Sequence, residues 1–96
     1  MRMMLKVQTS AEAGTRAIED GRLQKAVQEV SEIIKPEAFY AGPQDGKRTL
    51  MFFFEIDDSA LIPRISEPFF REVDAEFQLL PVMNQEELMK GLAASG

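Results

Sequence analysis

The sequence predicts an α+β domain in the order β-α-β-β-α-β, with one four-stranded antiparallel sheet and its helices on a single face. Three observations predict it. Residues 3–8 alternate apolar and mixed side chains with the period of two expected of a half-buried strand, and residues 48–57 are dense in Phe and Ile. Leu23, Ala26, Val27, Val30, Ile33 and Ile34 recur at helical spacing, with Lys25, Gln28, Glu29, Glu32 and Lys35 on the other side. Between two β-like runs stands Asp45-Gly46, the strongest short hairpin signal, because both central residues of a type I′ turn need positive φ.

The first strand is expected over Met3 to Gln8, putting Met3, Leu5 and Val7 on one face and Met4, Lys6 and Gln8 on the other. Thr9 with Glu12 has the form of a capping box, so a helix should open there and break near Asp20-Gly21. Pro36 ends the helix that follows, because a residue before proline is pushed out of the α region. A short second strand is expected from Glu37 to Gly42, closed early by Pro43, and a third from Arg48 to Asp57. Asp57-Asp58-Ser59 is a helix start signal. The helical region from Ser59 to Val73 contains Pro63 and Pro68, which predicts two short pieces or a kink. A fourth strand should run from Ala75 to Val82, and Asn84 with Glu87 should cap a last helix through Leu92, leaving 93–96 as a loose tail. Without repeats or linkers, residues 1–96 read as one domain.

Composition narrows the chemistry. The chain of 96 residues has no Cys and no His, which removes thiolate catalysis, imidazole acid/base work, haem ligation by His and the common zinc sites; no metal and no cofactor are expected. Carboxylates, Lys, Arg and Tyr remain. With sixteen acidic against eleven basic residues and a net charge of -5, it carries no electrostatic footprint for nucleic acid. Its apolar runs are too short for a signal peptide or a membrane span, so a cytoplasmic protein with no membrane partner is expected.

In the spatial order 4-1-3-2, the simplest for this element order, strand two lies at an edge and strand three is central. Strand three puts Leu50, Phe52, Phe54 and Ile56 on one face and Met51, Phe53 and Glu55 on the other. Only one of these faces can pack on helices, so the side holding Met51, Phe53, Met4 and Leu80 needs a cover. A homodimer with sheet packed on sheet supplies one, with or without an enclosed small hydrophobic or acidic ligand. Lys6, Gln8, Tyr40, Glu55 and Gln78 share that face by strand parity, and with Met51 and Phe53 they are the candidate ligand-binding residues. Should Lys6 and Glu55 meet, they form either an ordinary ion pair or a proton-transfer site. In the second case a buried Glu55 acts as base, assisted by Lys6 or Tyr40.

Several strings carry a wider resemblance: "DGRL" at Asp20 to Leu23, "KPEAFY" at Lys35 to Tyr40, "DGKRT" at Asp45 to Thr49, "EPFF" at Glu67 to Phe70 and "PVMNQEEL" at Pro81 to Leu88. Together they resemble small uncharacterised bacterial proteins of the dimeric α+β barrel group, distantly similar to muconolactone isomerase. The resemblance spans nearly the whole chain and implies a ferredoxin-like fold and a sheet-to-sheet dimer, with the C-terminal segment reaching the partner. It implies no activity and transfers no catalytic residue. The leading functional expectation is a dimeric small-molecule-binding protein using the open sheet face. The alternatives are a cofactor-independent isomerase or monooxygenase of small hydrophobic acids, and an interaction module without a ligand. Other features have plainer explanations. Phe52-Phe53-Phe54 lacks the basic neighbours of a base-stacking platform and reads as core, Asp57-Asp58 reads as a cap, and Asp20-Gly21-Arg22 as a helix break.

Overall fold

The computed structural model describes residues 1–95 and shows one sheet and four helices. Strand β1 (Arg2–Thr9) leads to helices α1 (Ala11–Glu19) and α2 (Arg22–Ile34). Strands β2 (Ala38–Gln44) and β3 (Lys47–Glu55) form the hairpin, followed by helix α3 (Leu61–Val73), strand β4 (Glu76–Pro81) and helix α4 (Gln85–Ser95). The sheet is antiparallel in the order β2-β3-β1-β4, which is 4-1-3-2 read from the opposite edge, an arrangement compatible with a ferredoxin-like fold.

Local signals act largely as expected. Asp45 (φ 55°) and Gly46 (φ 72°) both take positive φ at the hairpin, and Gly21 (φ 81°) separates α1 from α2. Five local expectations need correction. Asp57-Asp58-Ser59 does not cap α3, which begins at Leu61 with Ala60 at the cap position and no side-chain cap; Asp58 Oδ1 accepts from the Ala60 N–H at 2.9 Å in the turn before it. The cap of α1 is Ser10, whose side chain accepts from the Ala13 N–H at 3.1 Å, while Thr9 finishes β1 and is buried. Pro43 does not close β2, which continues to Gln44; an edge strand has a ladder neighbour on one side only, so a missing N–H can be spared. Helix α3 is continuous despite its two prolines. Pro63 lies in the first turn, where no intrahelical N–H partner is lost, and Pro68 is buried beside Ile65, Phe69 and Val73, whose packing outweighs the lost bond. Residues 93–95, expected to be loose, belong to α4; Gly96 lies outside the described residues.

The core lies between the sheet and helices α1 to α3. Met3, Leu5 and Val7 of β1 and Phe52 and Phe54 of β3 meet Ala17, Ala26, Val30, Ile34, Ile65, Phe69 and Val73. Phe52 and Phe69 sit with ring centroids 6.0 Å apart. Fully burying side chains of this size stabilises by about 1.5–3 kcal/mol each.

Helix α4 stands apart from this layer. None of its residues is buried, and the molecule measures 51 × 28 × 17 Å. Its radius of gyration of 14.9 Å exceeds the value of about 12.5 Å for a compact domain of this length.

Candidate functional site

The sheet face turned away from α1 to α3 carries side chains in rows, each set by the strand register. One row is Ala38, Phe53, Met4 and Leu80, and the next is Tyr40, Met51, Lys6 and Gln78. Beyond it lie Gly42, Thr49, Gln8 and Glu76. At the other end Glu55 stands opposite Arg2. From the Arg2/Glu55 end the face therefore passes from charged through apolar and mixed to polar along the strands.

Within a single chain the two middle rows are only partly covered. Tyr40 is 63% exposed, its ring edge-on to Phe53 at 6.5 Å, and Leu80 is also exposed. Met4, Lys6, Met51 and Phe53 are half-buried by their sheet neighbours, and Gln78 is exposed. The polar row is satisfied internally. Gln8 Nε2 donates to Thr49 Oγ1 at 3.1 Å, which leaves Thr49 buried on an otherwise open face, and Lys47 Nζ pairs with Glu76 at 3.1 Å.

Four of the seven residues singled out from the sequence thus fall in one row: Tyr40, Met51, Lys6 and Gln78. Phe53 and Gln8 occupy the flanking rows. Glu55 does not join them. Lys6 is opposite Met51, so Glu55 lies four residues further along β3, about 13 Å at the rise of an antiparallel strand. Its carboxylate meets the amino group of Met1 at 3.1 Å and its side chain is 63% exposed. The register therefore keeps Lys6 and Glu55 from meeting, and in the single chain Glu55 is exposed. Among the described residues Lys6 makes no ion pair, and no cluster of three or more acidic side chains suited to a metal ion occurs. No described helix is long and apolar enough to cross a membrane.

A residue outside the expected set organises one end of the face. Arg2 pairs through Nε with Glu37 at 2.6 Å and through Nη1 with Glu87. Glu87 is also part of the α4 capping box, accepting from the Asn84 N–H at 2.9 Å while Asn84 Oδ1 accepts from the Glu87 N–H at 2.8 Å. One guanidinium so ties the start of α4 to the lead-in of β2. Between them lies a recess of about 360 Å³ bordered by Tyr40, Phe53, Val82 and Met83. The alternation of β1, carried back one residue, places Arg2 on this face, but its two partners are distant in sequence and could not be foreseen. Compared with protein-family models and with curated proteins, the chain matches none.

Proposed function

We propose that two copies of this chain pair through their open sheet faces and enclose a chamber for a small hydrophobic acid. The observation that carries the proposal is the apolar row of Phe53, Met4 and Leu80, continued by Met51 and Tyr40, standing in a single chain with no described helix packed over it. Contiguous apolar patches of this kind mark interaction surfaces, and a two-fold axis lets one patch cover its equal. Helix α4 supports the same reading. It projects from the body with Leu88, Met89 and Leu92 exposed, as an arm laid on a partner would. The resemblance to dimeric α+β barrel proteins agrees with this arrangement.

Lys6 suggests the ligand's charge. At the centre of the paired faces its ammonium loses water, and an unpaired buried charge costs several kcal/mol. A carboxylate placed between Lys6, Gln78 and Tyr40 offsets that cost, while Met51 and Phe53 take the apolar part. Proton-transfer chemistry gains no support, because Glu55 is engaged by the N-terminus, far from Lys6.

Light scattering at micromolar concentration tests the pairing. The expected mass is twice the 10.8 kDa of one chain, with Phe53→Glu monomeric and still folded by circular dichroism. A wild-type monomer would refute the pairing. Thermal stabilisation of the dimer by benzoate, lost in Lys6→Met, is the expected sign of the chamber; equal stabilisation of both proteins would remove Lys6 from it.

A further inference from the structure

On the opposite side of the sheet, the helix layer leaves part of the β2-β3 hairpin uncovered. The chain turns at Gly21 between α1 and α2, and β2 lies at the sheet edge. The result is a cleft of about 510 Å³, floored by Leu50, Ala41 and Pro43 and walled by Ala11, Ile18 and Leu23. Leu50 marks the gap: on the same strand and face Phe52 and Phe54 are buried, whereas Leu50 is only half-buried. The volume falls within the range of roughly 300–1,000 Å³ typical of small-molecule sites.

The cleft's charge is one-sided. Among the described residues no carboxylate lines it, although the chain carries net charge -5, and its two cations are Lys47 and Arg48. Lys47 is engaged by Glu76 on the other face of the sheet. Arg48 makes no ion pair among the described residues; its Nη2 donates to Thr15 Oγ1 at 3.1 Å, laying the side chain against α1 at Gly14 and Thr15. That path exists because residue 14 is glycine. A Cβ there would stand 2.6 Å from Arg48 Cδ and 3.0 Å from its Nε. A glycine inside a helix costs about 1 kcal/mol relative to alanine. Here it accommodates an unpaired guanidinium against the wall of an apolar cleft.

We propose that this cleft is a second binding site, for an aliphatic carboxylate whose head group is held by Arg48 and whose tail lies along Ile18, Leu23 and Leu50. The planar guanidinium matches a carboxylate in a two-point contact, and the apolar wall continues from its side. The site stands independently of the paired-face reading, since it uses the other face of the sheet and none of the same residues.

Amide-resolved NMR titration of the full chain with octanoate, against octan-1-ol as the uncharged control, tests it. Saturable shifts at Thr15, Ile18, Leu23, Ala41 and Leu50 are expected with octanoate at millimolar concentration and not with the alcohol. Arg48→Gln should weaken binding at least tenfold. Ala41→Trp, which fills the cleft from an exposed position, should abolish it with the spectrum otherwise native, and Lys6→Met should leave it unchanged. No shifts at these amides, equal response to the alcohol, or undiminished binding by Arg48→Gln would each overturn the proposal, whatever the oligomeric state proves to be.

Discussion

Gly14→Ala is a substitution whose sign distinguishes local propensity from tertiary fit. Gly14 lies inside α1, its N–H donating to Ser10 O at 2.9 Å, and helix propensity alone predicts that alanine stabilises by about 1 kcal/mol. The built Cβ would stand 2.3 Å from Thr9 Oγ1 and 2.6 Å from Arg48 Cδ. The Arg48 stem is exposed and can swing aside. Thr9 cannot do so cheaply: it is 3% exposed, and its β-branch restricts χ1. Overpacking of this kind costs about 1–3 kcal/mol, which leaves a net destabilisation of about 1 kcal/mol after the propensity gain. For a domain of this size that corresponds to a Tm lowered by roughly 4–8 °C in a calorimetric or circular dichroism melt. In a Thr9→Ala background the same substitution should become neutral or stabilising, and the thermodynamic cycle should show coupling of about 1–2 kcal/mol. A higher Tm for Gly14→Ala in the parent chain would refute the reasoning.

Two further outcomes can be measured. Leu88→Ser with Leu92→Ser changes side chains exposed in the single chain, so unfolding of the monomer should move by no more than about 0.5 kcal/mol. If α4 lies on a partner, the dimer should weaken at least tenfold on dilution in a sedimentation experiment, because burying one leucine contributes about 1.5–3 kcal/mol; an unchanged Kd would confine pairing to the sheet faces. The Asp20 carboxylate accepts from Arg22 Nε at 2.7 Å and from the Arg22 N–H at 3.2 Å, and chiefly this side-chain bond lowers its pKa below the ordinary 3.8. A lowered folded-state value contributes stability that is present above 3.8 and lost as pH falls through the folded value. Carboxyl NMR should show Asp20 titrating below 3.8, and Arg22→Gln should return it toward that value.

Much of the architecture was legible in the chain because its signals are local. Positive φ at Asp45-Gly46, the break at Gly21 and the Asn84/Glu87 capping box each depend on residues within a few positions of one another. Strand parity likewise sorted Met4, Lys6, Met51 and Phe53 from Leu5, Val7, Phe52 and Phe54, since alternation needs no knowledge of neighbouring strands. Parity says which face a side chain takes and nothing of how far along the face it lies. That is why Tyr40, Met51, Lys6, Gln78 and Glu55 could be grouped on one side, while whether Lys6 and Glu55 meet waited on the register.

Sequence by itself therefore determined the element order and the unusual mixture of apolar and polar groups on the second sheet face. Tertiary structure decided the rest. It aligned the rows across four strands, engaged Glu55 with the N-terminus, and carried α3 through Pro68 where core packing outweighed one lost hydrogen bond. It also gave Gly14 a purpose. In the chain that glycine is only a weak point in a helix, whereas in the fold it is the space through which Arg48 reaches an apolar cleft, a contact made by residues 34 positions apart. Register, coverage and close approach are relations between distant segments, so no local pattern contains them.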